Sequence, residues 1–306
     1  MKKLFIFLSI AIIILLATSC SSTDSSSSNI ILERLQERKH TINEKLSTQD
    51  SFFNKLTEEV VNENQVKQLA LNEKEEVPVE FFDRSLNLVF FGDSLTQGVG
   101  DQTNSGGYVP FIKNYYEEKS YIENVFINNL GVRGNRTDHL QRRLNNEEVK
   151  SSLTDADVIF ITIGGNDLMK VVRENFLSLT FPLFDEEQSL YGERFTDVIE
   201  TIREYNESSP IYVIGIFNPF YQFFQEIHEM NEVVTNWNNV SATVLANYEN
   251  THFVNIDDIF LDPTQHLLDD DQFHPNETGY SLIGERVVEA IGQQYNQISI
   301  NEPEEE

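Results

Sequence analysis

The sequence predicts an α/β protein, a parallel sheet with helices on both faces. Three observations carry this expectation. Five short apolar runs lie between residues 84 and 298, and segments of helical spacing separate them. The runs are apolar throughout instead of alternating with polar residues, as strands buried on both faces require. In order, the predicted strands are 86–91, 125–129, 158–163, 211–217 and 253–256. One domain spanning 84–298 accounts for all of them.

In an open parallel sheet, ligands bind beyond the carboxyl ends of the strands. Four clusters of chemically capable residues stand in order along the chain: Gly92-Asp93-Ser94-Leu95, residues 131–134, Gly164-Gly165-Asn166-Asp167, and residues 271–274. The first three follow the first three predicted strands. Ser94 begins a helix, which sets its hydroxyl and N–H beside a positive helix terminus; serine is also a favoured helix cap for its own sake. Gly134 is an ordinary turn residue that, lacking a side chain, leaves its N–H open to an approaching oxygen. Asn166 sits in a Gly-Gly-Asn-Asp turn, where its amide serves either the turn or a developing negative oxygen.

Asp271 and His274 are three residues apart, so one local turn aims the carboxylate at one ring nitrogen and frees the other to take a proton. Asp269 and Asp270 carry the same charge next door, and local chemistry alone does not choose among the three. Asn276 is placed to cap a final helix that carries Ile283, Val287 and Ile291 on one side.

At these residues the chain resembles the GDSL, or SGNH, hydrolases, whose four name-giving residues would be Ser94, Gly134, Asn166 and His274. The resemblance covers roughly residues 85 to 295, with boundaries good to a few positions. It implies a flavodoxin-like, five-stranded, three-layer α/β/α sandwich and a serine esterase. It further implies Ser94 as nucleophile, His274 as base and, by the family's spacing, Asp271 as the carboxylate that orients it. The oxyanion hole would be the N–H groups of Ser94 and Gly134 and the side chain of Asn166. No metal or organic cofactor is implied, and the six histidines lack metal-ligand spacing. The Gly-x-Ser-x-Gly elbow of the α/β-hydrolases is absent, which disfavours that fold despite the shared Ser, Asp, His order.

The start of the chain speaks to location. Lys2 and Lys3 precede an apolar run, 4–16, too short for a stable membrane span, so residues 1–19 read as an export signal. Ala17-Thr18-Ser19-Cys20 resembles a bacterial lipoprotein box, in which the cysteine is lipidated and becomes the new N-terminus. Cys20 is the single cysteine, so an intramolecular disulfide is impossible. Residues 20–28 read as a serine-rich spacer and 29–83 as a charged helical stalk, with Pro78 ahead of the domain. Residues 299–306 read as an acidic tail. The expected product is an extracytoplasmic protein anchored by lipid to the bacterial cell membrane.

Charge narrows the partners. The formal net charge is −28 before the two lysines of the leader are lost. Nucleic acid is excluded as a partner, because binding it requires a basic surface that displaces counterions. Anionic head groups would repel the body of the protein as well, so the anchor and not the surface would hold it at a membrane.

Substrate class is less sharply written. The segment 168–184 and the aromatic group Phe217, Phe220, Tyr221, Phe223 and Phe224 hold more apolar matter than simple connections need. They would serve as cover for an acyl pocket or as ordinary packing. With the anchor, they favour an acyl lipid or lysophospholipid-like ester. Removal of O-acetyl groups from a cell-wall polymer is the second expectation, and a non-catalytic envelope-binding lipoprotein the third.

Overall fold

The computed structural model describes residues 84–301 apart from 222, 225–227 and 263. The expected leader, Cys20, the spacer and the stalk to residue 83 lie outside the described residues, as does the tail from residue 302.

Five strands form one sheet: β1 (Arg84–Gly92), β2 (Ile122–Gly131), β3 (Val158–Thr162), β4 (Ile211–Ile214) and β5 (Thr251–Val254). Their spatial order is β2-β1-β3-β4-β5, and every pairing is parallel. This is the flavodoxin-like order, in which the crossover direction reverses beside β1 and opens a crevice there.

Strand periodicity explains the two cores. Leu86, Leu88 and Phe90 of β1 face one side with Phe160, Tyr212 and Ile214, under α2 (Val109–Glu117) and the C-terminal helix α8 (Glu277–Asn301). Val89 and Phe91 face the other with Ile159, Ile161 and Val213, under α3 (Thr137–Leu144), α4 (Glu147–Thr154), α5 (Gly165–Glu174), α6 (Phe181–Tyr205) and α7 (His228–Leu245). A short helix, α1 (Ser94–Gln97), follows β1 directly. Each such aliphatic or aromatic side chain, fully withdrawn from water, contributes about 1.5–3 kcal/mol. Helices on both faces make the three-layer sandwich that the apolar runs predicted.

The strands depart from expectation at their ends: β2 is longer than 125–129, and β4 stops at Ile214 instead of running to 217. Asn238 of α7 ends β4. Its Oδ1 accepts from the Ile216 N–H at 2.9 Å and its Nδ2 donates to the Ile216 carbonyl at 2.8 Å, so at Ile216 a side chain replaces a strand neighbour. At the C-terminus, Asn276 caps α8 by accepting from the Gly279 N–H at 3.0 Å, and Ile283, Val287 and Ile291 are buried against the sheet. That helix continues to Asn301, past the domain end expected at 298.

Candidate active site

Ser94 stands at the first position of α1, where β1 ends. Asp93 caps this helix, accepting from the Leu95 N–H at 3.0 Å, and the Thr162 hydroxyl of β3 donates to the same carboxylate oxygen at 2.8 Å. Thr162 Oγ1 is 2.7 Å from Thr96 Oγ1, which is 3.0 Å from the Tyr108 hydroxyl. These groups are all buried. Burial therefore pushes the Asp93 carboxyl up to about 6, against the lowering effect of the Thr162 and Leu95 hydrogen bonds. The turn that bears Ser94 is thus tied, through Asp93 and Thr96, to the hydroxyls of Thr162 and Tyr108 on other segments.

Asn166 lies in the first turn of α5, just beyond β3, and its Nδ2 donates to the Asn135 carbonyl at 3.0 Å. Asp167, fully buried beside it, accepts from the Thr137 hydroxyl at 2.6 Å, from the Thr137 N–H at 3.1 Å and from Arg194 at 3.2 Å. Arg194 also reaches Thr137 Oγ1 at 2.8 Å and Glu187 at 2.7 Å. Burial pushes Asp167 upward, opposed by its hydrogen bonds to Thr137 and by Arg194. The start of α5 is thereby bolted to the loop 132–136, which carries Gly134.

Gly134 has φ +80°, a conformation an L side chain rarely adopts, and nothing lies within 4 Å of where a Cβ would stand. Conformation and not crowding demands glycine here. Neither the Ser94 nor the Gly134 N–H donates to an acceptor among the described residues. Unpaired backbone donors are rare in folded chains, so each of the two is free to receive an oxygen from outside the protein.

The fourth cluster is a tight turn before α8. Asp271 Oδ1 accepts from the N–H groups of Phe273 and His274 at 3.0 and 2.9 Å, and Oδ2 lies 2.5 Å from His274 Nδ1. Gln272 takes φ +53° to close the turn, and Leu268 and Pro275 form an antiparallel bridge across its base. Partial burial raises the Asp271 carboxyl, but the hydrogen bonds from the His274 ring and backbone outweigh it and hold the group at about 2. An ionised carboxylate only accepts, so Nδ1 carries the proton and Nε2 keeps a free lone pair. Asp269 turns elsewhere, accepting from Gln102 at 2.7 Å. The exposed Arg133, 3.8 Å from Asp271, adds little stability.

The turn meets the nucleophile segment at Gly100. A Cβ there would stand 2.9 Å from His274 Cβ and 2.5 Å from the Pro275 carbonyl, so only glycine lets the chain beyond α1 pass so close. Tyr280 of α8 adds a hydrogen bond of 2.6 Å to the Val99 carbonyl. Phe273 packs edge-on against the His274 ring, at 5.0 Å between centroids, and lines a cavity together with Ser94, Gly165, Asn166, Ile216 and Phe217. Ser94 and Asn166 thus share one cavity, Asp271 and His274 share one turn beside it, and Gly134 stands in the loop tied to Asn166. Ser94 Oγ has no hydrogen-bond partner among the described residues; unliganded sites hold such contacts loosely and tighten them on substrate.

Sequence reasoning gave no role to Thr162, Thr137, Arg194 or Asn238. Asp167 stood inside a recognised cluster and so carried a signal, but its partners lie dozens of residues away on other elements. Of the segment 168–184, Leu168, Val171, Val172, Leu179 and Phe184 are core, Leu177 is exposed, and none of them lines the cavity. Of the second aromatic group, Phe217 lines it and Phe220 joins the core.

The profile of the GDSL-like lipase/acylhydrolase family matches residues 90–282. The uncharacterized protein YpmR of Bacillus subtilis strain 168 is 41% identical over 202 residues, covering 65% of this chain and 79% of that one. The spore germination lipase LipC of Bacillus licheniformis is 27% identical over 207 residues, 66% of this chain and 95% of that one. Among solved structures, the lipase Lip_vut3 from a goat rumen metagenome superposes with a TM-score of 0.61 at 25% identity, covering 67% of this chain and 97% of that one.

Proposed function

The chain belongs to the GDSL-like lipase/acylhydrolase family and is a serine ester hydrolase, and from that premise we propose that Ser94, His274 and Asp271 are its catalytic triad. Ser94 Oγ attacks the ester carbonyl while His274 Nε2 takes its proton. Asp271, ionised and bonded to Nδ1, holds the tautomer and stabilises the imidazolium. Negative charge on the former carbonyl oxygen is received by the N–H groups of Ser94 and Gly134 and by Asn166 Nδ2. His274 then protonates the departing alcohol, and water, activated the same way, releases the acid from Ser94.

One observation carries this reading. Ser94, its own N–H unpaired, shares a cavity with Asn166, which is anchored to the loop that carries the unpaired Gly134 N–H, and Phe273 of the hydrogen-bonded Asp271-His274 turn lines the same cavity. Labelling with a small fluorophosphonate tests it, because only an activated serine reacts. Ser94→Ala should abolish both labelling and ester turnover, and equal labelling of the variant would place the nucleophile elsewhere.

For location, we infer an exported lipoprotein held at the bacterial membrane through Cys20, as the leader and box-like residues 17–20 support. Cys20→Ala should release the protein from the membrane fraction, and retention there would refute the anchor. The substrate is then a carboxylic ester of the envelope. The anchor and the lipase name of LipC favour an acyl lipid; the inward packing of 168–184 removes the sequence's main argument for a long acyl site. An O-acetylated polymer is the second reading, favoured by the modest size of the cavity.

A further inference from the structure

We propose that the enzyme selects short acyl groups, about two to four carbons, and that Gly165 and Ile216 set this limit. The inference rests on the triad reading, since it assigns the cavity beside Ser94 to the acyl chain, and it decides between the two substrate readings in favour of the O-acetylated polymer. The leaving alcohol must reach His274 for its proton, and His274 does not line the cavity. The substituent left to enter is the acyl chain. The walls suit it: Leu95, Ile163, Ile216, Phe217 and Pro219 are apolar, with Asn166 at the rim.

The space is small. The cavity measures ≈ 40 Å³, well below the roughly 150 Å³ of a cavity that holds a benzene ring. The wider empty space of the same pocket, ≈ 430 Å³, includes open solvent. The cavity floor has no slack. Ile163 belongs to the buried core, Phe217 stacks on Phe260 with ring centroids 3.8 Å apart, and the Gly215 backbone is pressed between Phe253 and Asn238. An acetyl, propionyl or butyryl chain fits, whereas a longer one must displace packed core or lie in water.

Gly165 and Ile216 are neighbours in the cavity wall. A Cβ on Gly165 would meet only Ile216 Cγ2, at 3.8 Å, and its φ lies outside the left-handed region. Alanine at 165 is therefore sterically tolerated by the protein and starts a helix at least as well as glycine. Its methyl group would narrow the cavity that both residues line. Ile216 is only partly buried, so shortening it widens the same wall at modest cost to the fold.

The full-length protein should be assayed on p-nitrophenyl acetate, butyrate, hexanoate and octanoate, with Ser94→Ala as the blank. Wild-type kcat/KM should be highest between acetate and butyrate and fall at least tenfold by octanoate, the scale on which one misfitted methylene discriminates. Gly165→Ala should lower the butyrate-to-acetate ratio about tenfold or more, and Ile216→Ala should move the optimum to a longer chain. Octanoate turned over as fast as butyrate by the wild type, or an unmoved profile in both variants, overturns the chain-length limit while leaving the triad intact. Absence of labelling and of turnover on every ester would instead overturn the triad reading and this inference with it.

Discussion

The two halves of the proposed active site are built by opposite means. The nucleophile half, Asp93 and Ser94, is fixed by contacts distant in sequence: Thr162 is 69 residues from Asp93, and Thr96 and Tyr108 complete a buried chain. The base half, Asp271 to His274, is one turn whose hydrogen bonds span two or three residues, with a half-exposed carboxylate. The carboxylates answer to different forces. Asp93 is pushed up by loss of water, whereas Asp271 is held down by donors that favour its charge. Scaffold residues on the first side should therefore matter to stability, and residues on the second mainly to rate.

The sharpest test of this contrast is Asp271→Asn. The amide cannot enforce the Nδ1–H tautomer, so kcat should drop by about 10³–10⁴-fold while the melting temperature changes little. A large loss of melting temperature would show that the turn is scaffold after all. Asn166→Ala should have the next largest effect, roughly a hundredfold in kcat with KM nearly constant, since one donor to the transition-state oxygen is removed. A change in KM alone would mean that Asn166 serves ground-state binding.

Asp93→Asn examines the other half through stability. Both hydrogen bonds to this side chain arrive at Oδ1, so the amide oxygen retains them. The folded carboxyl sits near 6 and the unfolded one near 3.8. The stabilisation from burying a neutral acid is complete below pH 3.8 and disappears as pH rises through 6. The difference reaches about 3 kcal/mol at neutral pH. Thermal melts of wild type and variant should match near pH 4 and diverge by pH 7, with the variant higher; parallel curves would refute the burial argument. Asp271 runs the other way in sign: the contribution of its half-exposed charge, kept small by solvent screening, is present above pH 3.8 and lost as pH falls toward 2.

The smallest effect is expected from removing residues before Pro78. No proposed catalytic residue lies there, so soluble short esters should be hydrolysed at the full-length rate. A folded but inactive product would assign residues 29–77 a part in the site.

The same contrast explains what the sequence could reveal. Asp271 and His274 are three positions apart, and a pairing so local is readable from spacing. The five strands were legible because burial on both faces leaves an unbroken apolar run. The end of β4 was not legible, because Asn238 terminates it from another helix. Thr162, Thr137 and Arg194 were hidden for the same reason. A buried hydroxyl or a guanidinium acquires its role from residues that only the fold brings near. The apolar abundance of 168–184 left two readings open for a related cause, since core and pocket walls draw on the same side chains.

The turn that bears His274 is followed at once by α8, whose buried face must dock on the sheet before the base can settle beside the Gly100 passage. Synthesis delivers these parts after all five strands. On the proposed triad, a nascent or truncated chain that stops before residue 274 holds the serine but has no base, and is chemically silent however well its strands have paired. Activity would then arrive only once this turn has been made. For an esterase translated on one side of a membrane and, as we propose, used on the other, the order of the chain itself delays hydrolysis until the molecule is whole.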